Sequence, residues 1–237
     1  MKLYSWCTPD FEILRDIFVA TLCDDYQVIC PVITMPEPSD PTSAGGGHHY
    51  NAKKTELLIA AIEENLGDPI LFTDIDLQFF RPTAEIVASM LGANDIVFQR
   101  EFFEGKERLH NINLGFTALH CNERTLAFHR AVLNAVERGN WDQRIVNEML
   151  YEGDADLTWD LFPPDIWTLH CHYLHADTVV LHHPVVSDFD EKLKNMIEVR
   201  HEVFPDDDVL QRILDEHGID VAGAQSHPRT LITDRRS

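Results

Sequence analysis

The chain has 237 residues, enough for one sizeable α/β domain with its own core. Its 44% hydrophobic and 25% charged residues are the balance of a globular protein, and no stretch approaches the roughly 18 unbroken apolar residues of a membrane span. A formal net charge of −21, from 40 acids against 19 bases, argues against general nucleic-acid binding and means that an anionic ligand would need a cation as mediator. The start "MKLYSWCTPDFEILRD" lacks the basic-then-apolar layout of a signal peptide. The five cysteines (Cys7, Cys23, Cys30, Cys121 and Cys171) have no CxxC spacing, so neither a disulfide framework nor a cysteine zinc site is indicated. A soluble, cytoplasmic protein with reduced thiols is expected.

In chain order, "KLYSWC" alternates as a strand and leads into a helix in which Phe11, Leu14, Ile17, Phe18 and Leu22 recur at helical spacing. "YQVICPVI" reads as a second strand. The Pro/Gly/Ser-rich "TMPEPSDPTSAGGGHHYN" reads as a loop and a candidate lid. A helix is expected from Lys53 to Leu66, with Leu57, Leu58, Ala61, Ile62 and Leu66 on one face, followed by the strand "DPILFTDID". After Pro82 come a helix "TAEIVASMLG", a strand "DIVFQRE", a polar turn and a strand "INLGFTALH". Two amphipathic helices, "ERTLAFHRAVLNAVERG" and "WDQRIVNEMLYEG", follow. "LTWDLFPPDIWTL", "TVVLHHP" and the helical "EKLKNMIEVRHEVF" continue the same layer, so one domain over 1–205 is expected, with 206–237 an acidic C-terminal extension or tail. Strands alternating with helices predict a mainly parallel, doubly wound sheet.

Asp74 and Asp76 end an otherwise apolar strand, and in open α/β sheets ligands bind at the carboxyl ends of strands. Two acids one residue apart repel unless a cation or a set of donors lies between them. A bend after Asp74 would let both approach one metal, and oxygen ligands favour a hard cation, Mg²⁺ or Mn²⁺. Loop-capping or helix-capping aspartates are the alternative for this pattern taken alone.

Four stretches, in order, carry a wider resemblance: "KKTELLIAAIEENLGDPILFTDIDLQFFRP", "DIVFQRE", "NINLGFTALHCNERTLAFHRAVL" with "WDQRIVNEML", and "VVLHHPVVSDFDEKL". Across roughly residues 50 to 195 the chain resembles the nucleotide-diphospho-sugar transferases, glycosyltransferases of the GT-A fold close to family 77. The resemblance implies a metal-dependent transferase with a UDP- or GDP-sugar donor, an unidentified acceptor and retention of anomeric configuration. It also implies site residues. Asp74, Asp76 and His183, with His182 as the alternative, would hold Mn²⁺ or Mg²⁺. Lys54 and Lys53, and Lys192 beyond the histidines, would meet the diphosphate. Asp142, Gln143 and Asn113 would lie at the reacting sugar, with Gly115 allowing close backbone approach and Trp141 stacking on a sugar face. Thr8 and Asp10, in the loop after the first strand, are the candidates for base and ribose.

The chain departs from the family at Leu114, where a small hydroxyl residue is usual, and in "HHPV", where His-Ala-Asn is common. Three other readings stand beside this one. A haloacid-dehalogenase-like phosphohydrolase also uses Asp-X-Asp after a buried strand. A non-catalytic sugar-nucleotide-binding protein could keep the fold without turnover. "TLHCHYLH", with His170, Cys171, His172 and His175, raises a separate zinc possibility, although nothing in it fixes four ligands.

Overall fold

A computed structural model describes residues 1–35, 46–101, 111–138, 140–153, 155–168, 179–184, 186 and 188–219. In chain order its elements are β1 (Lys2–Tyr4), α1 (Glu12–Thr21), β2 (Gln27–Ile29), α2 (Gly46–Glu64), β3 (Pro69–Thr73), β4 (Gln78–Phe79), α3 (Ala84–Leu91) and β5 (Ile96–Arg100). There follow β6 (Ile112–His120), α4 (Glu123–Val136), α5 (Asp142–Tyr151), β7 (Trp159–Leu161), β8 (Trp167–Thr168), β9 (Leu181–His182), α6 (Phe189–Val203) and α7 (Val209–Glu216). The architecture is mixed α/β, and the chain divides into two compact units.

The first unit comprises Met1–Pro9, Asp25–Asp74 and Ala84–Pro163. Its six-stranded sheet runs β2-β1-β3-β6-β5-β7. All its strands are parallel except β6, which pairs antiparallel with both β3 and β5. The alternation of strands and helices foretold the mainly parallel sheet. β5 and β6 follow one another among the described elements, and antiparallel neighbours need no helical crossover between them. Helices α2, α4 and α5 bury Leu58, Ala61, Ile62, Leu126, Val132, Val136, Ile145 and Val146 against Ile70, Phe72, Ile96 and Phe98 of the sheet. Each such valine, leucine, isoleucine or phenylalanine side chain contributes about 1.5–3 kcal/mol on full burial. α4 is fixed at its start by Asn122, whose side chain accepts from the backbone of Arg124 and Thr125 while Thr125 answers back to the Asn122 N–H.

α2 begins seven residues earlier than the apolar periodicity predicts, at Gly46 rather than Lys53. Glycine weakens a helix by only about 1 kcal/mol per residue, and no proline interrupts this stretch. The early turns also bring Tyr50 to stack on Trp6, ring centroids 6.2 Å apart. The remainder of the expected lid, residues 36–45, lies outside the described residues.

The second unit comprises Asp10–Asp24, Ile75–Thr83 and the chain from Pro164 onward. Its three-stranded sheet, β4-β9-β8, was not foreseen from the sequence. α1 buries Ile13, Leu14 and Ile17 against Leu193 and Met196 of α6 and Leu210, Ile213 and Leu214 of α7. The chain is packed to α7 within the stretch from 206 expected as a C-terminal extension or tail; residues 220–237 lie outside the described residues. Arg200 ties β4 to this layer. Its Nη1 donates to the Phe79 carbonyl (3.0 Å), its Nε and Nη2 grip Asp207 (3.1 and 2.6 Å), and its guanidinium lies over the rings of Phe80 and Phe204.

Candidate functional site

In the first unit, β3 is a buried apolar strand between β1 and β6, and it stops at Thr73. The Asp74 N–H extends the ladder by one bond, donating to the Gly115 carbonyl at 2.8 Å, before the chain bends at Ile75 and Asp76. The bend takes the two acids off a common strand face. Lys54, from the middle of α2, forms an ion pair with Asp74 Oδ1, and its side chain is largely buried. Lys53 does not share this position. One helical residue turns the side chain by about 100°, and Lys53 pairs instead with Glu56 at 3.0 Å on the outer surface.

Asp142 opens α5 and is buried. Its Oδ1 accepts from the Gln143 N–H at 2.8 Å. Burial pushes the Asp142 carboxyl above its ordinary value; Lys54 pulls it back down and Asp74 pushes it further up. Trp141, the residue before the helix, has extended backbone and is 62% exposed. Gln143 Nε2 donates to Glu101.

Asn113 is buried in β6, where a bulge breaks the pairing with β5: Phe98 faces Thr117, but Gln99 faces Asn113. Asn113 Oδ1 accepts from the Gly115 N–H at 2.7 Å within that bulge. The Gly115 carbonyl in turn receives the Asp74 N–H, so Asn113 and Gly115 form the backbone support of Asp74. Asn147, which follows Trp141, Asp142 and Gln143 in the pattern that the chain shares with the family, is a further residue of this assembly. It is signalled by its place one turn after Gln143, whose carbonyl accepts from Asn147 Nδ2 at 2.7 Å.

Behind Lys54 and Asp142 lies a cavity of about 20 Å³, also lined by Thr117 and His129. His129 is buried on α4, and burial pushes its imidazole down to about 4, against a partial upward pull from the Thr125 carbonyl that its Nδ1 contacts at 2.8 Å. The apolar face of α4 gave no reason to single it out. Trp6 and Tyr50, stacked as described, form an aromatic pair just past the end of β1, whose Tyr4 is in register with Phe72 of β3. Thr8 is buried just after this point.

In the second unit, Asp76 meets two partners. His183 Nε2 lies 3.4 Å from Asp76 Oδ1, and Lys192 Nζ contacts Oδ2. Burial alone would raise the Asp76 carboxyl, but the pull of His183 and of the Lys192 ammonium outweighs it and holds the group well below the usual carboxylate range. β9 and its neighbours give the two histidines different surroundings. His182 is buried with Nδ1 2.9 Å from Gln78 Nε2, which also donates to the Met196 carbonyl. His183 follows the strand, its N–H held by the Thr168 carbonyl at 3.0 Å, and its ring turns to Asp76. Asp188 caps α6 by accepting from the Glu191 N–H at 2.9 Å, which sets Lys192 in the first turn. Asp10 lies exposed in the short 3-10 turn Pro9–Phe11.

Asp76 and His183, together in the second unit, could take part in holding a metal ion, and Asp74 stands two residues before Asp76 in the chain. Two carboxylates with a buried imidazole fit a divalent cation, and the imidazole suits Mn²⁺ better than Mg²⁺. The histidines and cysteine of 170–175, considered for zinc, lie outside the described residues. No helix among the described residues is long and apolar enough to cross a membrane.

Residues 51–205 match the family model described as nucleotide-diphospho-sugar transferase. Solved structures share the fold at low identity. A glycosyltransferase involved in glycosylation of the major capsid of PBCV-1 is 14% identical, with a TM-score of 0.60 over 84% of this chain and 100% of that one. The glycosyltransferase GlyE of Streptococcus pneumoniae TIGR4 is 12% identical, with a TM-score of 0.58 over 91% of this chain and 63% of that one. The galactosyltransferase LgtC, solved with donor and acceptor sugar analogs, is 12% identical, with a TM-score of 0.51 over 96% of this chain and 98% of that one. No curated protein sequence matches the chain. The family match removes the phosphohydrolase alternative. With the family model covering well over half of its length, the chain belongs to the nucleotide-diphospho-sugar transferases, glycosyltransferases of the GT-A fold.

Proposed function

We propose that the chain is a metal-dependent transferase that moves a hexose or pentose from a UDP- or GDP-sugar to an acceptor, with retention at the anomeric carbon. The observation that carries this reading is the Asp76 carboxylate held by His183 and Lys192, two residues after Asp74. An acidic protein of net charge −21 repels a nucleoside diphosphate unless local positive charge offsets it. Asp74, Asp76 and His183 would hold Mn²⁺, which when bound supplies Lewis-acid stabilisation of the charge on the departing diphosphate.

The chain's own residues do the rest. Lys54 and Lys192 bind the diphosphate oxygens as charge grows on them. Asp142, buried beside Lys54, positions the sugar and faces its reacting carbon electrostatically. The departing phosphate takes the acceptor's proton, so no separate strong base is needed. Asn113 and Gly115 act by fixing Asp74. The Trp6–Tyr50 pair offers a stacking surface for a base, and exposed Trp141 one for a sugar ring.

Calorimetric titration of UDP and GDP with Mn²⁺ or EDTA, on wild type and Asp76→Ala, tests the donor site. Binding that requires both Mn²⁺ and Asp76 is expected. Product formation with a panel of UDP- and GDP-sugars then separates a transferase from a protein that only binds the nucleotide. Absence of binding by either nucleotide would overturn the proposed donor.

A further inference from the structure

Asp76 already carries a cation. Lys192 Nζ sits on its Oδ2 and also lies 3.4 Å from the Pro184 carbonyl, with the lysine side chain only 13% exposed and the carboxylate 14%. The ammonium is therefore built into the carboxylate's surroundings rather than resting on it from solvent. The capped first turn of α6 holds its stem in place, through the Asp188 side chain on Glu191 N–H and the Asp188 carbonyl on Lys192 N–H. In the first unit Lys54 stands in the same relation to Asp74.

A divalent ion bound by Asp76 meets this ammonium as a like charge at close range, in surroundings with little water to screen it. The carboxylate cannot serve both cations fully. A diphosphate changes the balance, because its oxygens accept hydrogen bonds from the ammonium and bring the negative charge that the second cation requires. Resting on the metal site proposed above, we infer that Lys192 is an internal competitor for the cation on Asp76, so that the divalent ion and the nucleoside diphosphate bind as a linked pair. The free protein holds the metal weakly, and the nucleotide frees Asp76 by engaging Lys192. Linkage is reciprocal: the factor by which UDP tightens Mn²⁺ equals the factor by which Mn²⁺ tightens UDP.

The test is Mn²⁺ binding, read from the electron paramagnetic resonance signal of the free ion, without nucleotide and with saturating UDP or GDP. Wild type, Lys192→Met, Lys192→Gln and Lys192→Arg are compared, each checked for folding by circular dichroism. In the absence of nucleotide, the Met and Gln variants are expected to bind Mn²⁺ about 10-fold tighter than wild type, while the Arg variant stays as weak as wild type. Nucleotide should tighten Mn²⁺ by about 10-fold or more in wild type and by a clearly smaller factor in the neutral variants, which keep only the direct attraction between diphosphate and cation. The Gln variant carries the comparison if the Met variant does not fold. Equal or weaker Mn²⁺ binding by the neutral variants overturns the inference while leaving the metal site standing. Absence of Mn²⁺ binding in every protein, with and without either nucleotide, overturns the metal site as well.

Discussion

Asn147 closes both backbone hydrogen bonds of Ile112. Its Oδ1 accepts from the Ile112 N–H at 2.9 Å and its Nδ2 donates to the Ile112 carbonyl at 2.9 Å. The side-chain amide thus acts as one residue of a neighbouring strand and fastens α5 to the first residue of β6. The next residue, Asn113, supports Gly115, and Gly115 supports Asp74. Two buried asparagines in this unit therefore fix the frames of Asp142, on α5, and of Asp74, at the end of β3.

Asn147→Ala leaves a buried N–H and a buried carbonyl of Ile112 without their partner. Each such group costs roughly 1–3 kcal/mol, so the variant should lose about 3 kcal/mol, seen in urea denaturation, and about 6–12 °C in Tm. A loss under about 1 kcal/mol would show that the amide does not serve as the strand partner.

Lys54 and Lys53 are neighbours with different surroundings. Lys54→Met removes the largely buried partner of Asp74, and transferase turnover should fall by at least about 100-fold. Lys53→Met breaks only a surface pair with Glu56, worth about 0–1 kcal/mol, and turnover should change by less than about 3-fold. Steady-state kinetics with the donor identified by the nucleotide screen measures both. Equal losses would show that neither lysine is distinguished by its place on α2.

The site was legible where chemistry interrupts a strong pattern. An apolar β3 that ends in Asp74 and Asp76 announces a strand terminus that holds charge, and the 3.6-residue repeat of Leu14, Ile17 and Phe18 announces α1. The second sheet left no such trace. Its strands are two residues long, too short for an alternation, and three of their residues, Gln78, Thr168 and His182, are polar yet buried. The different surroundings of His182 and His183 were hidden for the same reason. Adjacent strand residues point to opposite sides, and the side on which His182 lies is met by Gln78, which also bonds the Met196 carbonyl, over a hundred positions away in the chain. The bulge in β6 depends on a side chain meeting its own backbone two residues on, a local bond that apolar periodicity does not register.

Asp142 is an acid whose folded value lies above its unfolded one, because burial disfavours its charge. The folded protein then binds the proton more tightly, so this group's contribution to stability falls as pH rises from about 4 through the raised value. Asp142→Asn removes that slope. Relative to wild type it should gain stability between pH 4 and pH 7 in urea denaturation, while turnover falls by roughly 100-fold through lost positioning. A variant that loses stability on going from pH 4 to pH 7 relative to wild type would show that burial does not raise the Asp142 carboxyl.

His129 gives the opposite slope. Its imidazole titrates at about 4 in the folded protein, against about 6.5 when unfolded, so between those values the unfolded chain binds more protons. Stability from this group is fully present above about pH 6.5 and is lost as pH falls toward 4, amounting to about 2 kcal/mol between pH 7 and pH 5. His129→Gln cannot take up that proton and should lack this part of the acid sensitivity, even if it is less stable than wild type at pH 7. Comparing the change in unfolding free energy from pH 7 to pH 5 in the two proteins isolates the histidine, because every other titrating group is common to both. The cavity that His129 shares with Lys54 and Asp142 makes the same measurement informative about the site. If His129 is neutral there as burial requires, an Asp142→Asn background should leave its contribution unchanged; an increased contribution would mean that the Asp142 carboxylate helps to hold the imidazole's charge.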